Sequence, residues 1–342
     1  MATKAFIAQA TRQLRDYVED FCDQDLFGVA DPALLEDAPE GHRPSDLLPG
    51  VKSVVVFGRR LTDGAVQSEM RRFESDNVPA QSSYAAFARD LAPNYLGLRD
   101  VYQASQYIER TWGEVAMPLP FAEMQTAATN VMPMPMWVDP YAAGFPFDVN
   151  RAAVAAGLGQ YGWSTLVLTP EYGPRIMFAA ILTTLELEFS GPYNGPKLCD
   201  PATCKVCSEI CPTGAIKGCG CKTQTRGVEG AQVEVTDFTR NSCIVASCAM
   251  RREFEGRVPV KNLVDTYNPT DEQLEEAYEV KAMQSLSLEH FPRYFCDRCL
   301  IYCPVGNWQE RFADVGTSRG YQVMLDRIDT EMRAAALAEQ GY

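Results

Sequence analysis

Cysteine is the residue type whose number and spacing in this sequence could do chemistry. The chain has 12 cysteines among 342 residues, and all but Cys22 lie between positions 199 and 303. Thiolates in spaced groups of this kind usually bind metals or take part in redox reactions. The sequence has only two histidines, His42 and His290, so it offers little for a histidine-based zinc or copper site. The chemistry is therefore expected to come from sulfur.

Two cysteine motifs end in a Cys-Pro pair. The first is Cys199-x4-Cys204-x2-Cys207-x3-Cys211-Pro212, and the second is Cys296-x2-Cys299-x3-Cys303-Pro304. A 4Fe–4S cluster takes four thiolates, and in two-cluster ferredoxins the fourth cysteine of each run ligates the other cluster. The spacing therefore predicts two 4Fe–4S clusters that exchange one ligand. Their predicted ligands are Cys199, Cys204, Cys207 and Cys303 for one cluster, and Cys211, Cys243, Cys296 and Cys299 for the other.

Several alternatives stay open at this level. A pair of zinc sites is the main one, because C-x2-C is also zinc spacing; the C-x3-C-P endings and the lack of a histidine or second C-x2-C partner argue against it. The x4 gap makes Cys199 the least regular ligand, and Cys248 could replace Cys243. Cys219 and Cys221 are interpreted as bystander thiols, and Cys22 as a core residue.

Composition and charge bear on partners and location. The chain is 46% hydrophobic, and its net charge is −14 with a pI near 4.7. Binding nucleic acid requires neutralising phosphates with Lys and Arg, so we expect no nucleic-acid partner. No apolar run approaches the roughly 18 residues that span a bilayer, and no export signal is evident, so we expect no membrane association and a cytoplasmic location.

Hydrophobic spacing predicts the elements of the first half. A turn-rich passage after the first helix leads into an apolar strand at 51–58, and 80–112 is predicted to be largely helical. Six prolines predict an irregular segment at 113–147 that could line a pocket. The first helix is predicted from a stripe of apolar residues at helical spacing: Phe6, Ile7, Ala10, Leu14, Tyr17, Val18 and Phe21.

The second half begins with a short helix in RAAVAAGLG, followed by strands in TLVLTP and RIMFAAILTTLELEF. Gly, Pro, Cys and Lys become frequent from 190, which predicts a domain boundary there, and 319–342 is predicted to be an amphipathic helix. Gly157-Leu158-Gly159-x-x-Gly162 matches the dinucleotide fingerprint, but it follows a helix and precedes a strand. That order is the reverse of a Rossmann site. These glycines instead predict close backbone approach, to a flat ligand or within a tight helix–strand turn.

The run AAVAAGLGQYGWSTLVLTPEYGPRIMFAAILTTLEL (152–187), followed by the first cysteine motif, resembles the reductive dehalogenase and epoxyqueuosine reductase superfamily. In both branches an AGLG-x-x-G segment precedes strands, a T-P-E-[FY]-G-P-R-like turn and two 4Fe–4S motifs. The resemblance implies cobalamin, held base-off in a nitroreductase-like α/β domain, and a bacterial-ferredoxin-like module whose two clusters feed electrons to cobalt. It implies a cobalamin and substrate domain at 1–190, a double-cluster domain at 191–312 and a helical tail at 313–342.

The resemblance also implies site residues. The segment 156–162 and the turn 169–175 would lie against the cobalamin, through Gly157, Leu158, Gly159, Gly162, Thr169, Gly173 and Arg175. By comparison with epoxyqueuosine reductases, Asp139 would be a proton donor, with Asp148 as the alternative. By comparison with dehalogenases, Tyr84 would protonate the product carbon, with Tyr95 and Tyr107 behind it.

The resemblance thus implies an oxidoreductase that cleaves a carbon–halogen or similar bond in a small molecule. A ferredoxin, flavodoxin or reductase would supply low-potential electrons. The chain stops soon after Pro304, where epoxyqueuosine reductases continue into a helical-repeat domain, and this favours a small-molecule substrate over tRNA. The alternatives are the same fold without cobalamin, an epoxyqueuosine-reductase-like enzyme, or an electron-transfer protein.

Overall fold

The computed structural model describes residues 2–75, 83–84, 98–119, 147–247, 250–251, 263–277, 296–312 and 330–342. Helices and strands are interspersed along this part of the chain, which confirms a mixed α/β fold. The helices are α1 (Lys4–Asp20), α2 (Pro44–Leu47), α3 (Asp63–Ser75), α4 (Leu98–Trp112), α5 (Val149–Ala155), α6 (Val206–Glu209), α7 (Arg240–Ser247), α8 (Asp271–Ala277), α9 (Arg298–Ile301), α10 (Trp308–Phe312) and α11 (Thr330–Glu339). The strands are β1 (Leu26–Ala30), β2 (Ser53–Arg60), β3 (Ala116–Leu119), β4 (Gln160–Tyr161), β5 (Val167–Leu168), β6 (Ile176–Thr183), β7 (Thr223–Arg226) and β8 (Val233–Thr236).

Four strands form an antiparallel sheet in the order β1-β2-β6-β3. The central strands β2 and β6 are apolar along nearly their whole length because both of their faces are buried. Val55 and Phe57 face one core with α1 and α4, whereas Val54 and Val56 face the other with α5. This alternation follows from the two-residue period of a strand. The sheet is therefore a layer between helices.

Two strands of this sheet were missed by the sequence patterns. β1 lies in the passage predicted to be turn-rich, and it pairs with β2 from Leu26 opposite Gly58 to Ala30 opposite Val54. β3 lies at the start of the segment predicted to be irregular and contains Pro118. A proline lacks the N–H needed in a central strand, and β3 avoids the problem because it lies at the edge of the sheet. The rest of the proline-rich segment, 120–146, lies outside the described residues.

The cysteine motifs pack on this layer through smaller cores. α3, α9 and α10 share one core, which contains Met70, Tyr84, Ile301 and Phe312. α11 docks on the first motif: Gln340 Nε2 donates to the carbonyl of Thr213 at 2.8 Å, and Arg333 Nη2 donates to that of Ser208 at 2.5 Å.

Among the helices described, none combines the length and the apolar character that a membrane span requires.

Candidate functional site

The first predicted group of cysteines comes together from two distant parts of the chain. Burial raises the pKa of the Cys207 thiol well above its ordinary value, and the sulfurs of Cys303, Cys199 and Cys204 lie close enough to raise it further. Burial also raises the pKa of Cys303 to about 11, where Arg175 opposes the shift and Cys199 and Cys204 add to it. The second Cys-Pro motif thus reaches back to the first.

The second predicted group is assembled in the same way. Burial raises the pKa of Cys299 well above its ordinary value, and the thiols of Cys243 and Cys296 raise it further. Burial likewise raises the pKa of Cys243, and Cys296 and Cys211 add to the shift. The two groups adjoin, because Cys211 also acts on Cys207 as the weakest of its named neighbours. Cys248, the alternative to Cys243, lies outside the described residues.

The donor chemistry of these groups fits iron–sulfur clusters. Within the described ranges, no three cysteine, histidine or acidic side chains converge as they would around a single metal ion. Four sulfurs on one zinc would lie roughly 3.8 Å apart, since Zn–S bonds are about 2.3 Å long. A four-iron cluster takes one thiolate per iron, so its four ligands are spread more widely. Two adjoining groups of four thiols, one of them buried and the others half-buried, supply the eight thiolates that two such clusters take.

Backbone N–H groups donate to three of the sulfurs. The Trp163 amide lies 3.3 Å from Cys199 Sγ, the Arg298 amide donates to Cys296, and the Val305 amide donates to Cys303. Such bonds stabilise a thiolate and tune the potential of a bound cluster. Trp163 was missed by sequence reasoning, although it follows the AGLG-x-x-G segment directly.

The remaining cysteines separate into two kinds. Cys22 is fully buried in the core beneath α1, and burial raises the pKa of its thiol to about 11. Cys219 is exposed, whereas Cys221 is half-buried and packs against the same small core as Cys199 and Cys211. Cys221 is therefore not remote from the predicted clusters.

The turn at 169–175 packs on the second cysteine motif. The Arg175 guanidinium is buried and donates to the carbonyls of Cys303 at 2.8 Å, Leu300 at 3.2 Å and Val305. Burial lowers its pKa to about 10. Gly173 has a φ of 58°, and a Cβ there would overlap the carbonyl oxygen of Val305. The hydroxyl of the buried Thr169 accepts from the Tyr172 N–H at 3.1 Å and so closes the turn.

The glycine-rich segment also packs on the protein itself. A Cβ on Gly159 would overlap the carbonyl of Leu168, one on Gly162 would lie 2.6 Å from the Leu168 side chain, and one on Gly157 would lie 2.5 Å from the carbonyl of Gly191. Leu158 belongs to the core beneath the sheet. Packing on the protein's own chain thus explains the seven predicted cobalamin residues without a corrin, and their cobalamin-binding role stays a prediction.

The predicted acids lie in different places. The buried Tyr84 hydroxyl lies 2.9 Å from Asp297 Oδ2, within the second cysteine motif. Asp148 caps α5 by accepting from the Arg151 N–H at 2.9 Å. The Tyr107 ring stacks on Tyr17 with centroids 3.9 Å apart. Asp139 and Tyr95 lie outside the described residues.

Glu69 and Asp297 were also missed by sequence reasoning. Glu69 is fully buried on α3, and Asp297 has a left-handed φ of 36° between two predicted ligands. Of these two residues, only Asp297 could have been found from the sequence, because it lies between Cys296 and Cys299 in the C-x2-C motif.

Known proteins provide the comparison. No family model matches the chain. Epoxyqueuosine reductase of Gloeobacter violaceus is 44% identical over 71 residues, which cover 21% of each chain. That of Listeria monocytogenes is 25% identical over 46% of this chain and 30% of its own. Tetrachloroethene reductive dehalogenase of Desulfitobacterium hafniense is 39% identical over 19% of this chain and 12% of its own. The chain resembles both families. That is the resemblance that the sequence motifs predicted.

Solved structures of both families are similar to this one at low identity. An epoxyqueuosine reductase with a tRNA stem loop has a TM-score of 0.47 and 14% identity, covering 97% of this chain and 84% of its own. A catabolic reductive dehalogenase has a TM-score of 0.46 and 16% identity, covering 93% of this chain and 37% of its own.

These matches confirm one prediction and correct another. The curated relatives are all reductases, which confirms the predicted enzyme class, an oxidoreductase. The exclusion of a nucleic-acid partner is wrong, because epoxyqueuosine reductases are among the curated relatives. Net charge was a poor guide since binding depends on local patches. The matched segments span about a third or less of the curated relatives' length.

Proposed function

We propose that the chain is an iron–sulfur reductase with two 4Fe–4S clusters, ligated as the cysteine spacing predicts. The observation that carries this proposal is the exchange between motifs: Cys207, Cys211 and Cys299 meet at one small core, and Cys303 lies close enough to Cys207 to raise its pKa. Two motifs almost 100 residues apart are thereby interleaved as in a two-cluster ferredoxin. The double-cluster module would occupy 191–312, with a nitroreductase-like domain at 1–190 and a helical tail at 313–342.

The chain's own residues give each cluster a defined environment. Each cluster, when bound, takes up and releases one electron. The amides of Trp163, Arg298 and Val305 donate to the sulfurs of Cys199, Cys296 and Cys303. The buried Arg175 cation near Cys303 further stabilises negative charge there. Because the groups adjoin at Cys207 and Cys211, an electron entering one has a short path to the other.

The reaction that these electrons serve is proposed to be reductive cleavage of a bond from carbon to oxygen or halogen. The 44% identical segment favours an epoxyqueuosine substrate, as named for that relative. The dehalogenase matches support a small organohalide as the second candidate. Cobalamin belongs to both candidates through the resemblance and would supply a reducible cobalt centre. A low-potential ferredoxin or flavodoxin would supply the electrons.

Cluster ligation is tested by iron and sulfide analysis of anaerobically reconstituted protein. We expect about eight irons per chain, falling to about four in Cys207→Ser and in Cys243→Ser. Cys22→Ser is the matched control, since Cys22 is a buried thiol in the core beneath α1 that belongs to neither predicted ligand set, and it should keep all of the iron. Zinc in place of iron, or full iron in Cys243→Ser, would contradict the assignment.

The substrate is tested by turnover under a low-potential reductant. An epoxyqueuosine-containing tRNA stem loop and a halogenated phenol are supplied separately to protein reconstituted with and without cobalamin. If wild type consumes one of the substrates and Cys207→Ser does not, that substrate identifies which of the two proposed reactions the chain catalyses. If neither is consumed while both clusters are reduced, the proposed reaction is wrong.

A further inference from the structure

Cys219 and Cys221 form a thiol pair that the proposed clusters do not use. They are separated only by Gly220, and both are free thiols. The N–H of Cys221 donates to the carbonyl of Gly218 at 3.4 Å, so the four residues form a β-turn. Gly220 occupies the third position with a φ of 102°, as a type II turn requires. Cys219 is exposed to solvent on this turn, and Cys221 points inward.

The turn brings the two cysteines within range of each other. Consecutive Cα atoms are 3.8 Å apart, so residues two apart in a bent chain lie roughly 5–7 Å apart. Disulfides join Cα atoms about 4.4–6.8 Å apart. Gly218 and Gly220 have no heavy atom within 4 Å of an added Cβ, so the turn has space to adjust.

The inner thiol has polar neighbours. Cys221 Sγ lies 3.0 Å from the carbonyl of Lys222 and 3.6 Å from Thr236 Oγ1. It is thus held at the base of the turn, beneath the exposed Cys219.

From this geometry we propose that Cys219 and Cys221 are a redox-active dithiol that reacts with small disulfides. The Cys219 thiolate attacks one sulfur of the oxidant and expels the first small thiol, which leaves a mixed disulfide. The Cys221 thiolate then attacks Cys219 Sγ, closes the internal disulfide and expels the second small thiol. The protein loses two electrons and two protons, and the oxidant gains them as two thiols.

A chain of contacts joins this pair to a predicted cluster ligand. Thr236 meets Cys221 through its hydroxyl, and its N–H donates to the carbonyl of Trp163 at 3.2 Å. The Trp163 N–H in turn donates to Cys199 Sγ. The pair is thus three contacts away from Cys199. The role of Cys199 rests on the proposed clusters, whereas the thiol chemistry does not.

The test uses the anaerobically purified full chain. It is treated with glutathione disulfide, quenched in acid, unfolded, alkylated and mapped by mass spectrometry. We expect wild type to lose two alkylatable thiols, at Cys219 and Cys221, and dithiothreitol to restore both. Cys221→Ser should hold about one glutathione per chain on Cys219, because the resolving thiol is absent. Cys219→Ser should form neither product, and Cys22→Ser should behave as wild type.

Three results would overturn the proposal. Cys219 could remain fully alkylated after oxidation, or wild type could keep as much glutathione adduct as Cys221→Ser. Alternatively, both thiols could resist alkylation in the native reduced protein, which would make them metal ligands. Visible absorbance recorded in parallel reports the clusters, so their absence would count against the proposed function and leave the thiol result intact.

Discussion

Glu69 is a buried carboxyl group whose surroundings disfavour its ionised form. Its Oε1 accepts from Arg72 Nη1 at 3.3 Å, while Oε2 has no hydrogen-bond partner within the described residues. Burial raises its pKa from 4.5 to about 8; Arg72 opposes this shift, and Asp297 adds to it. The folded protein therefore keeps a proton on Glu69 that the unfolded chain loses above about pH 4.5. The stability that this proton provides is full below that pH and is lost as the pH rises through about 8.

We expect Glu69→Gln to remove this dependence. In urea unfolding, the variant should gain on the order of 3 kcal/mol relative to wild type between about pH 5 and about pH 8. Glu234→Gln is the control, since hydrogen bonds from Thr223 and Thr225 lower the pKa of Glu234 and it stays ionised across this range. Parallel pH profiles for wild type and Glu69→Gln would contradict the assignment.

At the scale of elements, the turn at 169–175 and the loop after the second Cys-Pro pair approach each other through backbone atoms. Gly173→Ala should cost about 1 kcal/mol for the left-handed φ and further free energy for the overlap with Val305. Gly191→Ala is a matched control, because Gly191 has a φ of 74° but no atom within 4 Å of an added Cβ. Urea unfolding should show the larger loss for Gly173→Ala by at least about 1 kcal/mol. Equal losses of unfolding free energy in the two variants would show that the close approach of the two loops does not contribute to stability.

The same elements show what a sequence pattern can and cannot predict. Helix α1 was predictable because its apolar stripe faces the sheet, and β2 because a strand buried on both faces is continuously apolar. β3 was not, because four residues with a proline form a strand only when β6 offers an unpaired edge. Arg175 was singled out by a motif, yet its three carbonyl partners lie some 125 to 130 residues away. Local spacing has no information about such partners.

At the scale of the whole molecule, the clusters would join distant parts of the chain. The first predicted ligand set takes three cysteines from one motif and one from the other, and the second joins Cys296 and Cys299 to Cys211 and Cys243. Cluster binding therefore stabilises only the folded arrangement. We expect iron-free protein to melt about 5 °C or more below the reconstituted protein in calorimetry. Cys207→Ser should show a smaller difference, and Cys22→Ser the full one. Identical melting temperatures with and without iron would exclude this coupling.

The contact between Arg175 and the carbonyls of residues 300, 303 and 305 has an evolutionary consequence. Because its acceptors are main-chain carbonyls, which every residue carries, replacing the guanidinium alone leaves them buried and unsatisfied unless the backbone path changes as well. The part of the chain that carries the cysteine motifs is therefore difficult to transfer to another protein without Arg175. In homologous chains, the residue at 175 and the backbone path at 300–306 should change in concert or not at all.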